Sequence, residues 1–175
     1  MSDKEYDHLI TIVFIGDRFI GKSNLSSRYV RDIYSENRAD FDSIVLRTKL
    51  LMIDKKRIKL EICDDINGKN CEKTKYSKIT EAHGIVLAYS ITDRDSFENL
   101  RFWLNMIERF KNEKMKMILI GTKCDDESRR EVSTEEGKEL ASIIGVKFME
   151  ISAKNDINIT EVFQTLTMDI VMDFD

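Results

Sequence analysis

The octapeptide Gly16-Asp17-Arg18-Phe19-Ile20-Gly21-Lys22-Ser23 constrains this chain more than any other feature. It fits the pattern G-x-x-x-x-G-K-[ST] and lies between two stretches of different character. His8 to Ile15 is an apolar run of strand length, with Leu9, Ile10, Ile12, Val13, Phe14 and Ile15. Lys22 to Asp32 reads as a helix. A strand, a glycine turn and a helix in that order aim successive backbone N–H groups and the positive end of a helix dipole into one loop. That is what a bound phosphate needs. Gly21 lets the backbone approach closely, Lys22 is placed to reach β- and γ-phosphates, and the Ser23 hydroxyl suits Mg²⁺. A chance glycine-rich turn would not require the flanking strand and helix.

The rest of the chain repeats the alternation. Ile44 to Ile53 and Lys56 to Asp64 read as a strand pair around an Asp54-Lys55 turn. Gly84 to Ile91, Lys116 to Ile120 and Lys147 to Ile151 read as further strands. Asp95 to Lys111 has helical spacing, with Phe97, Leu100, Trp103, Leu104, Ile107 and Phe110 on one face. Ser133 to Ile144 starts with Ser133 and Glu136 in capping-box spacing, and Asn158 to Met172 closes the chain as a helix. Strands alternating with helices imply an α/β fold with a mostly parallel sheet covered on both faces. In such folds ligands sit beyond the carboxyl ends of the strands. With 175 residues and no Gly/Ser-rich linker, one domain spanning 1–175 and structured over about 8–173 is expected.

Several function classes are disfavoured. Lys and Arg total 28 against 32 Asp and Glu, so the net charge of -4 argues against a general nucleic-acid binder. The apolar runs are too short for a membrane span. Met1 to His8 is polar and does not read as a secretory signal. Cys63, Cys71 and Cys124 form no C-x-x-C pair and suit free thiols in a reducing, cytoplasmic setting. His8 and His83 are too few for a zinc centre or a Ser/His/Asp hydrolase, and His83 reads as structural.

The chemistry-bearing residues fall at strand ends. Asp64 ends the third strand and suits holding Mg²⁺ through water. Asp65 is the neighbouring alternative, but alternation of Ile58, Leu60 and Ile62 favours Asp64. Thr122-Lys123-Cys124-Asp125 and Ser152-Ala153-Lys154 follow two later strands. The Asp125 carboxylate can accept from both N1–H and N2–H₂ of guanine. Adenine offers no such donor pair, and an unpaired buried acceptor costs about 1–3 kcal/mol. The Ala153 amide can donate to guanine O6, and the Lys123 stem can lie along the base. Each tripeptide alone is weak, and a lone Lys-x-Asp is more often a surface loop; their joint placement with the phosphate loop is the signal.

On these residues the chain resembles the small Ras-like GTPases, most closely the Rab branch, from His8 to about Asp173. Rab-like stretches are Lys59-Leu60-Glu61-Ile62, Ala82-His83-Gly84-Ile85-Val86, Thr92-Asp93-Arg94-Asp95-Ser96-Phe97 and Gly121-Thr122-Lys123-Cys124-Asp125. The resemblance implies a P-loop NTPase fold, a small G-domain with a six-stranded mostly parallel sheet and five helices, binding GTP or GDP with Mg²⁺. It implies nucleotide contacts from Asp17, Arg18, Phe19, Ile20, Gly21, Lys22, Ser23, Asn24, Tyr34, Thr122, Lys123, Asp125, Ser152, Ala153 and Lys154. It gives Lys22 the catalytic role and Ser23 and Asp64 the metal. Tyr34 falls where the family sets an aromatic edge against the base; an exposed tyrosine after the first helix is the alternative. Exchange factors and effectors are the implied protein partners.

Departures from the family concentrate where the γ-phosphate is sensed and cleaved. Phe41 stands at the switch I threonine, with Ser43 two residues away. The family's D-T-A-G-Q reads Asp64-Asp65-Ile66-Asn67-Gly68, so the water-orienting glutamine is missing; a one-residue shift puts Lys69 there instead. Arg18 and Phe19 replace small residues; both side chains pointing to solvent is one reading, and Phe19 covering the nucleotide or meeting a partner is the expected one. Leu46, Cys63 and Lys78 stand where aromatics are typical, Cys63 as a small core residue and Lys78 as a solvated one. Thr122 replaces the commoner asparagine, as in some Rho-type members.

The resulting expectation is a Rab-like GTP- and GDP-binding protein with weak hydrolysis, acting in vesicle trafficking. The alternative is a pseudo-GTPase module that binds both nucleotides about equally. A nucleotide kinase would want an adenine pocket and an arginine-rich lid, and Asp125 argues against it. Rab-like chains usually end in about 20–30 further residues with prenylated cysteines. Here the last cysteine is Cys124 and the chain stops at Asp175. A truncated chain, a following domain and a chain with no lipid anchor all fit, so attachment to the cytosolic face of vesicles would have to come from outside this segment.

Overall fold

The computed structural model describes residues 5–37, 46–64 and 72–174. Six strands form one sheet: β1 (His8–Ile15), β2 (Leu46–Ile53), β3 (Lys56–Cys63), β4 (Gly84–Ser90), β5 (Lys116–Thr122) and β6 (Lys147–Glu150). Their order is β2-β3-β1-β4-β5-β6, and only the β2–β3 pairing is antiparallel. Asp54 and Lys55 both take positive φ, 49° and 66°, and close that hairpin as a two-residue turn. The turn fixes the register, which pairs Ile53 with Lys56 and, further along, Arg47 with Ile62.

The helices are α1 (Lys22–Arg31), α2 (Glu72–Glu81), α3 (Arg94–Glu98), α4 (Leu100–Phe110), α5 (Thr134–Ile144) and α6 (Ile159–Val171). The expected single helix over Asp95 to Lys111 is α3 and α4. They meet at Asn99, which keeps helical dihedrals of -70° and -10°, so five helical segments cover the sheet among the described residues. A 3-10 turn at Glu127–Arg129 adds to the loop after β5.

Period-two alternation in the inner strands splits the core between two faces. Ile10, Ile12 and Phe14 of β1 and Ile58, Leu60 and Ile62 of β3 pack under α1 and α6, against Leu25, Val162, Phe163 and Leu166. Val13 and Ile15 of β1 with Ile85, Leu87 and Tyr89 of β4 pack under α2, α4 and α5, against Ile79, Leu100, Trp103, Ile107 and Ala141. Ser133 and Glu136 form the expected capping box on α5. The expected structural role of His83 has a partner: its Nδ1 accepts the Thr11 N–H at 3.0 Å. No helix among the described residues is long and apolar enough to cross a membrane.

Five strands end on the same edge of the sheet. Gly16, Asp64, Lys123 and Ile151 follow β1, β3, β5 and β6 there. Gly16 admits no side chain, because a Cβ would lie 2.2 Å from the Ala88 carbonyl oxygen of β4.

Candidate functional site

The phosphate loop runs from Gly16 into α1. Gly21 is the residue before the helix and has φ 100°, a conformation that L side chains rarely adopt. Phe19 also lies at positive φ, 65°, and its ring is 62% exposed. Arg18 beside it is exposed too, so both bulky residues of the loop point outward. Lys22 is only 8% exposed, and its ammonium donates to the carbonyl oxygens of Gly16 (2.8 Å) and Asp17. The charge is thereby held over the loop. Ser23 and Asn24 follow on the first turn. The Asn24 side chain bonds both backbone groups of Ser35, at 2.9 and 3.0 Å, and so fastens the segment after α1.

Two elements outside the loop hold it in place. The Asp17 carboxylate accepts from Asn99 Nδ2 (2.6 Å) and from Trp103 Nε1 (2.7 Å), tying the loop to α4. From the other side, Thr122 Oγ1 donates to the Ile20 carbonyl and Lys123 Nζ to the Phe19 carbonyl at 3.0 Å. The threonine that replaces asparagine therefore still joins the two motifs, through its hydroxyl.

The second group of residues is equally connected. Lys123 turns the chain at φ 62°. Asp125 accepts from the buried Ser152 hydroxyl at 2.7 Å, which orients the carboxylate and leaves it half-exposed. The Cys124 N–H bonds the Ile151 carbonyl at 3.0 Å, so the two strand-end loops are bound together. Burial pushes the Cys124 thiol up, with Glu150 and Asp125 adding to the effect. Arg28 of α1 donates to the carbonyls of Ala153 (2.8 Å) and Lys154 (3.1 Å). The Lys154 ammonium pairs with Glu36 at 3.2 Å. Tyr34 is half-buried against the core. Burial raises its phenol, with Glu36 and Asp125 adding to the effect and Lys154 and Arg28 opposing it.

Asp64 is 1% exposed. Its Oδ2 accepts from Ser26 on α1 and from Arg47 Nε on β2, the latter at 3.2 Å. A serine hydroxyl and a carboxylate are hard oxygen donors, the chemistry that suits Mg²⁺. Among the described residues no group of three or more His, Cys, Asp and Glu could hold a metal ion by itself, so a cation here would need the phosphate oxygens as well. Cys63 is buried as expected, but Lys78 is only half-exposed and points its ammonium at Cys63 Sγ, 3.4 Å away. Phe41, Ser43, Asp65, Ile66, Asn67, Gly68, Lys69 and Cys71 lie outside the described residues.

Sequence reasoning named the loop residues and missed the side chains that hold the loops in place. Asn99, Trp103, Arg28 and Ser26 carry no motif. Arg47 had a usable signal: the two-residue turn at Asp54-Lys55 sets it opposite Ile62, hence on the inner face and diagonal to Asp64.

The Ras family model matches residues 11–172. The GTP-binding protein ypt2 of Schizosaccharomyces pombe is 40% identical over 170 residues, 97% of this chain and 85% of the relative. The Ras-related protein Rab-8A of Gallus gallus is 37% identical over 95% of this chain and 81% of its own, and RABD2c of Arabidopsis thaliana 37% over 93% and 81%. With a phosphate loop and two strand-end loops bonded into one edge of a β2-β3-β1-β4-β5-β6 sheet, and this similarity along nearly its whole length, the chain belongs to the Ras family as a Rab-like small GTPase.

Proposed function

We propose that this single G-domain binds GTP and GDP, hydrolyses GTP slowly, and acts in vesicle trafficking with an exchange factor and effectors. The observation that carries the reading is the bonding of Thr122 and Lys123 to the Ile20 and Phe19 carbonyls, with Ser152 aiming Asp125. It supports the reading by holding the Asp125 loop and the Gly16–Ser23 loop in one fixed arrangement. In this reading the amides of residues 17–24 hold the phosphates and Lys22 neutralises charge on the β- and γ-oxygens. Asp125 and the Ala153 amide read guanine, Lys123 and Tyr34 flank it, and Lys154 closes the rim. Mg²⁺ would be held by Ser23 directly and by Asp64 through water, and when bound it neutralises phosphate charge.

Hydrolysis rests on electrostatic stabilisation by Lys22 and the loop amides. Gly68 cannot orient the attacking water as a glutamine would. A 10²-fold loss of positioning raises the barrier by about 2.7 kcal/mol. Weak single-turnover GTPase activity is expected, and brisk turnover would contradict it. Chromatography of the nucleotide released from the purified chain tests the binding itself: GDP or GTP is expected, and an empty chain indifferent to added GDP removes the reading.

The pseudo-GTPase reading is favoured by Phe41, which has no hydroxyl to offer Mg²⁺, and by Asn67, which stands in place of the glycine at the γ-phosphate. A ligand without differential affinity shifts no conformation. Calorimetry separates the two: near-equal GTP and GDP affinities favour the module, a large gap the switch.

A further inference from the structure

Arg47 is 3% exposed on β2, and its guanidinium and the Asp64 carboxylate have side chains 1% and 0% exposed. The pair is therefore fully withdrawn from water. Arg47 Nε is shared between Asp64 Oδ2 (3.2 Å) and Ser26 Oγ (2.8 Å), and Ser26 in turn donates to Asp64. Ser26 lies one turn beyond Ser23 on α1. One oxygen of the carboxylate proposed for the metal, Oδ2, is thus given to Ser26 and to a charge supplied by the protein. The next inward cation of β2, Lys49, is engaged elsewhere, on the Tyr29 carbonyl at 2.7 Å.

Among the described residues the buried guanidinium and the buried carboxylate meet through Arg47 Nε and Asp64 Oδ2 alone, with Asp64 Oδ1 and one Arg47 Nη making no hydrogen bond, and separating the pair strands a charge. Arg47 also sets a fixed positive charge against the carboxylate itself. Both effects weaken the carboxylate's hold on a second cation. We infer that Arg47 is a built-in cation at Asp64, so that this chain retains guanine nucleotide with little dependence on Mg²⁺. The nucleotide is then held mainly by Lys22 and the loop amides. The inference rests on the guanine-nucleotide reading above.

The test reads how fast nucleotide leaves with and without Mg²⁺, since a cation that contributes little to holding the nucleotide changes its release little when removed. The intact chain is loaded with fluorescent GDP, and dissociation into excess unlabelled GDP is timed in millimolar Mg²⁺ and in excess EDTA. For the wild type the two rates should differ by less than about fivefold, below the usual range of coupling between sites. Arg47→Met and Arg47→Gln should each widen the gap to more than about tenfold. The glutamine variant keeps an amide donor for Asp64 and serves where the methionine variant does not fold. Arg47→Lys, which keeps the charge, should stay close to the wild type. A wild type that loses GDP more than about tenfold faster in EDTA overturns the inference and leaves guanine binding intact. So does a small gap that persists in the methionine and glutamine variants. Failure to load GDP under either condition overturns the inference together with the reading beneath it.

Discussion

In the role proposed for it, Asp125 would read a base with one carboxylate, and its surroundings must supply the orientation. Its carboxylate is half-exposed, yet the buried Ser152 hydroxyl fixes one oxygen at 2.7 Å. The free energy of the contact therefore appears as affinity and is not spent on ordering a side chain. Hydrogen bonds to charged groups contribute about 1.5–3 kcal/mol each. Asp125→Ala should weaken GDP binding by at least about 2 kcal/mol, roughly 30-fold, while the melting temperature of the unliganded chain stays nearly constant. Titration with fluorescent GDP measures it, and affinity retained within about twofold would remove Asp125 from the site. The Asp125 and Gly16–Ser23 motifs were legible because their chemistry depends on residue type at fixed spacing. Arg47 was not, because its residue type argued for solvent and only the strand register argued for burial.

At the scale of elements, legibility followed the strength of the periodic signal. β1 and β4 are apolar almost throughout, because the inner strands are covered on both faces, and they stood out from composition alone. α2 did not, since Glu72-Lys73-Thr74-Lys75-Tyr76-Ser77-Lys78-Ile79-Thr80-Glu81 offers no apolar stripe. The burial of Ile79 and the stacking of Tyr76 on Phe110, 4.4 Å between centroids, attach it. β2 inverts the simple rule: Leu46, Leu50 and Met52 are exposed while Arg47 is buried, because the inner face near Asp64 needs a counter-charge. The α5 cap was legible and is separable from the site. Ser133→Ala should cost about 1 kcal/mol. That corresponds to a fall of about 2–4 °C in melting temperature with GDP affinity unchanged, and an unshifted melting curve would count against the cap. Arg28 instead links elements, carrying the position of α1 to the Ala153 loop. Arg28→Met should speed GDP release about fivefold, the equivalent of one hydrogen bond of about 1 kcal/mol, without altering the preference for guanine over adenine. Stopped-flow release at an unchanged rate would make Arg28 merely structural.

Across the whole molecule, the two ends of the sheet respond to pH through different groups. At the carboxyl edge Glu150 is pushed up by burial, but the Arg130 guanidinium and the Thr134 hydroxyl outweigh this and hold it below the ordinary 4.5. A carboxylate with a depressed value in the folded state adds stability that is present above 4.5 and lost as pH falls below it. At the opposite end, burial holds His83 below its ordinary 6.5. The unfolded chain then binds the proton more readily, so stability also falls as pH drops below 6.5, for the reverse chemical reason. Protonation would remove the lone pair with which Nδ1 accepts the Thr11 N–H, and would place a charge beside the Phe174 ring. The two losses are separable because they begin two pH units apart. Urea unfolding of the wild type should show the midpoint falling first below pH 6.5 and again below 4.5. His83→Asn, whose Oδ1 can accept the same N–H and does not titrate, should erase the first fall and keep the second, with the urea slope unchanged. A first fall that survives in the asparagine variant would assign the acid sensitivity to another group and leave His83 with a packing role alone.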